Sequence, residues 1–154
     1  MRELEVVGVR VEMPNNQPLV LLRETEGTRY LPIWIGAVEA SAIAYAQEGA
    51  ESPRPFTHEL MQQIVVALGD ELDEVRIIDV RDGVFFATLI FASGAEVEAR
   101  PSDSIALALR AGARIVCTED VLDAAGIQST REEDDEIERF REFLDEVGPE
   151  DFAE

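Results

Sequence analysis

Val75-Arg76-Ile77-Ile78-Asp79-Val80-Arg81-Asp82-Gly83-Val84-Phe85-Phe86-Ala87-Thr88-Leu89-Ile90-Phe91 is the stretch that decides the fold class. Val75 to Val80 reads as a strand and Val84 to Phe91 as its return. Between them stands Asp82-Gly83, a pair suited to a tight two-residue hairpin turn, whose central residues take positive φ. A hairpin of this kind commits the chain to an antiparallel sheet. The return strand is apolar on both faces, which predicts a place near the centre of that sheet. The longest nearly apolar stretch, Val84 to Ala92, falls far short of the roughly 20 residues that a membrane span needs.

The same patterning extends outward on both sides of the hairpin. Val7, Val9, Val11 and Met13 alternate with polar residues and predict a first strand. Pro14 to Pro18 is a turn. Leu19 to Arg23 and Tyr30 to Ile35 read as two more strands, joined through Glu26-Gly27. Gly36 breaks the pattern, and the alanine-rich run Ala37 to Gln47 predicts a helix. After a loop from Gly49 to Pro55, Thr57 is placed as the N-cap of a helix that runs to about Leu68. Phe56 and Met61 take the positions of a hydrophobic staple. Beyond the hairpin come a strand at Glu96 to Ala99, a helix capped by Ser102 and running to Arg110, a strand at Ile115 to Cys117, and a small helix at Val121 to Ala125. Hairpins grouped between helices predict an α+β fold with a largely antiparallel mixed sheet.

The chain has 154 residues, which suits one domain with a short appendage. Its charge is unusual: 33 acidic residues face 13 basic ones, every one of them arginine, for a net −20. Residues 128–154 hold 12 of the acids and three of the arginines. Residues 1–127 therefore form the expected domain, and 128–136, with its five consecutive acids, an acidic linker. Residues 137–154 form the expected C-terminal helix and tail, with Ile137, Phe140, Leu144 and Val147 on one face and Gly148-Pro149 as the stop. That stripe would bury itself on its own domain, on a second copy or on a partner protein. Glu3 and Glu5 interrupt the place where a secretory h-region would begin, so a cytoplasmic protein is expected. Cys117 is the single cysteine and lies in an apolar strand, which predicts a buried structural thiol.

No phosphate-binding loop, dinucleotide fingerprint, zinc-protease motif or nucleophile elbow occurs. Three short segments remain: Gly36 to Ala40, Arg54 to Leu60, and Ala99 to Ile105. Each sets an acid in the first turn of a helix, namely Glu39, Glu59 and Asp103. Helix-dipole complementation explains such acids without function, and capping explains Thr57 and Ser102. If the segments converge, Glu39, Glu59 and Asp103 are the oxygen donors that a hard divalent cation such as Mg²⁺ takes. His58 would then be a general acid or base beside catalytic Glu59, Asp103 and Glu39. Arg54 and Arg100, with Thr57 and Ser102, would hold phosphate.

Tyr30-Leu31-Pro32-Ile33-Trp34-Ile35-Gly36 with Glu39-Ala40, Arg54-Pro55-Phe56-Thr57-His58-Glu59-Leu60, and Ala99-Arg100-Pro101-Ser102-Asp103-Ser104-Ile105-Ala106 together resemble the bifunctional nuclease family. The resemblance runs from about Val6 to Ile127. It implies hydrolysis of RNA and DNA with low sequence specificity, and a compact α+β domain that forms homodimers. Glu39, His58, Glu59, Arg100, Ser102 and Asp103 match its motif positions. The alternative is a non-enzymatic dimeric regulatory or scaffold domain that binds a protein or small ligand, which the acidity and the missing catalytic signatures favour. Phosphate binding needs local positive charge. The enzyme reading therefore predicts that at least three of Arg54, Arg100, Arg110 and Arg114 share one surface; finding them scattered, or all paired with acids, counts heavily against it.

Overall fold

The computed structural model describes residues 1–13, 15–50 and 52–128. The acidic linker beyond Gln128 and the C-terminal helix and tail, 137–154, lie outside the described residues. The chain runs through β1 (Arg2–Glu12), β2 (Gln17–Glu24), β3 (Arg29–Trp34), α1 (Ala37–Glu48), α2 (Thr57–Ala67), β4 (Leu72–Arg81), β5 (Val84–Phe91), β6 (Glu96–Ala99), α3 (Pro101–Ala111), β7 (Arg114–Cys117), α4 (Glu119–Ala125) and β8 (Ile127–Gln128). The strands form one sheet in the order β6-β5-β4-β7-β1-β2-β3-β8. Only the β4–β7 pair is parallel. This is the expected α+β class with a largely antiparallel sheet. No helix among the described residues is long and apolar enough to cross a membrane.

Two strands differ from their sequence patterns. β1 begins at Arg2 and pairs through Arg2 to Leu4 with β7. A bulge between Val6 and Gly8 shifts the register, so that Val7, Gly8 and Val9 are all buried while Val11 is exposed. Such a bulge breaks the period-two signal, which is why the first half of the strand did not read as one. β5 is next to the edge of the sheet rather than near its centre, with β6 outside it. Ala87, Leu89 and Phe91 are buried on one face, while Phe86, Thr88 and Ile90 on the other are only half-buried. Part of that second face is covered by an arginine, since the Arg81 guanidinium lies 4.4 Å from the centre of the Phe86 ring.

The main core lies between the sheet and its helices. Leu22 and Leu31 from the sheet meet Ile43 of α1, Ile77 of β4, Ile105 and Leu107 of α3 and Leu122 of α4. Each such side chain contributes about 1.5–3 kcal/mol on burial. Val7, Leu19, Leu21 and Tyr30 form a smaller cluster. Leu19 and Leu21 alternate along β2 with Val20 and Leu22 of the main core, so the two clusters occupy opposite faces. α3 is the most enclosed helix and packs on α1 and α2 as well as on β4 and β5. Its Ala106 and Ala108 are buried, and side chains of that size let neighbouring elements approach closely.

The helix starts correct two expectations. The N-caps are Phe56 and Arg100, neither with a side-chain cap bond, so Thr57 and Ser102 lie inside their helices. Pro101 explains the second case: its ring presets the first helical position and pushes the residue before it into extended backbone. Arg100 has φ −70° and ψ 143° accordingly. Phe56 does not act as a staple from the position before the cap; its ring meets Tyr45 edge-on, 5.8 Å between centres. A cap that the sequence reading missed is Thr118, whose hydroxyl accepts from the Val121 N–H at 3.2 Å.

A buried acid ties α4 to the sheet. The Glu24 carboxylate, 2 per cent exposed, accepts from Arg29 Nε at 2.7 Å and from Arg2 Nε at 2.8 Å. Arg29 also reaches Glu119 at 2.7 Å and Asp123 at 3.1 Å on α4. The Arg29 hydrogen bond is the main cause that holds the Glu24 carboxyl below the usual carboxylate range, although burial opposes it. A depressed folded value contributes stability that is fully present above the unfolded value, about 4.3, and is lost as pH falls through the folded one. Glu24→Gln should therefore lower the melting temperature at pH 7 and flatten its fall between about pH 5 and pH 2. Thermal melts across that range check this, and parallel acid-side slopes in the two proteins would contradict it.

Candidate functional site

α1, α2 and α3 each begin from a residue in extended backbone: Gly36, Phe56 and Arg100. Glu39, Glu59 and Asp103 stand at the third position of their helices, where a carboxylate complements the helix dipole. Packing of α3 against both other helices brings these starts together. Between α1 and α2 lies a cleft of about 1130 Å³, lined by residues that include Glu39, Tyr45, Phe56, Thr57, His58, Glu59 and Arg110.

His58 Nε2 and Asp103 Oδ1 are 3.0 Å apart, with the imidazole 13 per cent and the carboxylate 31 per cent exposed. The other oxygen of Asp103 accepts from Arg100 Nε at 3.0 Å. The same guanidinium meets Glu39 Oε1 through a terminal nitrogen at 2.9 Å. One chain of contacts thus runs Glu39–Arg100–Asp103–His58 across all three helices. The hydrogen bond to Asp103 and that to Glu39 hold the Arg100 guanidinium above its ordinary range. A carboxylate only accepts, so Nε2 carries the hydrogen in this contact, and in the tautomer that this selects Nδ1 is the acceptor.

A second pair lies deeper in the cleft. Arg110 donates to the Ala50 carbonyl at 2.6 Å and stands 3.6 Å from Glu59 Oε1. That oxygen is buried and accepts no hydrogen bond. Its compensation is therefore the charge of Arg110 at slightly more than hydrogen-bond distance.

A family model for the bifunctional nuclease domain matches residues 20–130. This chain belongs to the bifunctional nuclease domain family. An uncharacterized protein of Mycobacterium tuberculosis, matched in two strains, is 53 per cent identical over 161 residues. The match covers 99 per cent of this chain and 98 per cent of that protein.

The structure brings Glu39, His58, Arg100 and Asp103 into contact; of these Glu39 and His58 line the cleft, together with Thr57, Glu59 and Arg110, whereas Arg100 lines a smaller pocket. Ser102 is buried beside a smaller pocket with Trp34, Val84 and Arg100. Arg54 lies exposed in the loop before α2, outside the cleft lining. The three carboxylates do not form one coordination sphere: among the described residues no three ligating side chains gather as a metal site requires. The Arg100 guanidinium stands between Glu39 and Asp103 where a shared ion would sit, and Glu59 faces Arg110. The gathering of three arginines does not occur either. Arg114 pairs with Glu74 at 2.5 Å, away from the cleft. Burial raises the Glu74 carboxyl, but the hydrogen bonds of Arg76 and Arg114 outweigh it and leave the group below its usual range. Tyr45, which lines the cleft, lies outside the three motif segments of the sequence. Cys117 is fully buried, as expected, and burial is the main cause that pushes its thiol up to about 11.

Gly36 offers a probe of the contact chain. A Cβ there would run into the Glu39 carboxylate, the movable end of a flexible side chain. The backbone itself, at φ −83°, accepts alanine. Gly36 is the N-cap of α1, where glycine is preferred to alanine, so Gly36→Ala should cost only about 0.5–1 kcal/mol of stability. It should nevertheless shift the Arg100 Nε–H resonance as Glu39 withdraws. A large loss of stability, or an unmoved resonance, would contradict this.

Proposed function

We propose that this chain hydrolyses phosphodiester bonds of RNA and DNA with low sequence specificity in the cleft between α1 and α2. The observation that carries this reading is the contact of His58, on the cleft wall, with Asp103 behind it, which Arg100 holds in turn. Asp103 orients the imidazole so that Nδ1 faces the proton it must take. Nδ1 removes a proton from water as its oxygen bonds to phosphorus. The phosphorus bond to the leaving oxygen breaks, and the imidazolium returns the proton to that oxygen. Because water is the nucleophile, the step needs no 2′-hydroxyl and suits both nucleic acids. Arg100 and Arg110 offset phosphate charge, but only by exchanging a carboxylate for it, which favours weak and unselective binding. A divalent cation would have to displace Arg100 from Glu39 and Asp103, so no step is assigned to one.

A second reading, a non-enzymatic domain that binds a protein or small ligand, is favoured by one specific observation. Arg100, Arg110 and Arg114 already have carboxylate partners. The protein incubated with single- and double-stranded DNA and RNA, with Mg²⁺ or with chelator, separates the two. His58→Ala and Asp103→Ala should each lower the cleavage rate about 10²–10⁴-fold, the usual worth of a positioned acid–base group. Cleavage that survives both substitutions, or none under any metal condition, would overturn the hydrolytic reading.

A further inference from the structure

Trp34 ends β3 and is 56 per cent exposed. It is the single tryptophan of the chain. A buried indole is among the largest contributors to a core. This one has no aromatic, cationic or hydrogen-bond partner among the described residues. Tyr30, four residues back on the same face of the strand, is buried. The cover on that face therefore stops before Trp34.

The indole lines a pocket of about 360 Å³ with Val84 and Phe85 of β5 and with Arg100 and Pro101 at the start of α3. β3 and β5 are five strands apart along the sheet, so the sheet curls to bring both to one place. Small-molecule sites begin at roughly 300 Å³, and a pocket of this size suits one planar ring system. Its charge is as informative as its size. In a chain with 33 acids, none lines this pocket, and the one charge in its lining is Arg100. Arg100 gives Nε and Nη2 to Asp103 and Glu39, while Nη1 has no partner among the described residues. An aromatic face is thus set beside a cation with a donor to spare. Gly36 lines both this pocket and the cleft between α1 and α2, so the two adjoin there.

We propose that Trp34 is the stacking platform for one unpaired base of single-stranded RNA or DNA, with the neighbouring phosphate on Arg100 Nη1 and the strand passing Gly36 into the cleft. This rests on the hydrolytic reading of the cleft and adds a base subsite to it. Every base has a π-face, so a stack gives affinity without choosing a sequence. It also gives affinity that needs no net positive charge, in a chain whose net charge is −20. A base inside a duplex is already paired and stacked, so the subsite favours strands whose bases are free.

Because the chain has one tryptophan, the unmodified protein reports on the subsite directly. A short oligothymidylate, added in chelator, should quench the indole emission. The same strand annealed to oligodeoxyadenylate should quench it less at equal concentration. Trp34→Ala should raise KM for single strands about tenfold with little change in kcat, and Trp34→Phe, which keeps a ring, should recover most of that loss. Emission that single strands leave unchanged would overturn the proposal, as would a Trp34→Ala protein that cleaves them with unaltered KM. An indole already shielded from acrylamide in the free protein would also overturn it, because another surface would then cover Trp34. Cleavage is read separately: quenching in a protein that cleaves nothing would keep the base subsite and remove the hydrolytic reading, and cleavage without quenching would do the reverse. If Trp34→Ala fails to fold, the titration of the unmodified chain decides.

Discussion

The four residues of β7 hold the molecule together. Arg114 to Cys117 pair antiparallel with the first residues of β1 on one side and parallel with β4 on the other. Without that bridge the sheet would be two separate antiparallel units, β1-β2-β3 with β8 and β4-β5-β6. Ile115, Val116 and Cys117 are all buried, so the bridge is also part of the packed interior. It fixes α3 as well, because that helix connects β6 at one edge of the sheet to β7 in its middle. The connection has to cross the face of β4 and β5. This lays α3 beside α1 and α2, and Asp103 reaches His58 only because of that crossing.

The charge economy of the chain follows the same frame. Every side-chain cation apart from the single histidine is an arginine, and the arginines nearest the core spend themselves on acids. Arg29 and Arg2 satisfy buried Glu24; Arg76 and Arg114 satisfy Glu74; Arg100 and Arg110 satisfy the acids of the cleft. A guanidinium suits this, since its planar fork can serve two carboxylates at once, as Arg100 does with Glu39 and Asp103. The consequence for function is a cleft without spare positive charge. Any phosphate that enters has to compete with carboxylates, and affinity must come from exchange rather than from a preformed basic surface.

The sequence was most legible where backbone conformation is dictated locally. Asp82 and Gly83 both have positive φ, 51° and 77°, as the tight hairpin turn between β4 and β5 requires. Elements that depend on distant partners were not legible. β8 is two residues long and exists only as a pairing with Arg29 and Tyr30 of β3. β5 looks central from its composition, yet its place in the sheet is decided by β6 and β7. Thr57 and Ser102 have the chemistry of caps, but Pro101 starts α3 two residues too early for Ser102 to serve. The site shows the same division. Three motif segments identified the helix starts that meet, whereas the arginine partners of their acids depend on distances that no spacing encodes.

The acids at the three helix starts separate structural from functional demand. A carboxylate that only complements a helix dipole can remain solvated at its own N-terminus. Glu59 departs from that, buried against Arg110, but its partner lies on the adjacent helix and the pair can serve as a tie between α2 and α3. Asp103 departs further. It divides its two oxygens between His58 of α2 and its own Arg100, and Arg100 in turn reaches Glu39 of α1. Dipole complementation of α3 calls for neither contact. A tie between helices calls for one of them, but not for a histidine, since any donor of similar size would do. The group that a purely structural account leaves unexplained is therefore the single histidine of the chain, held by one ring nitrogen at the wall of the cleft between α1 and α2, with the other nitrogen unassigned to the fold.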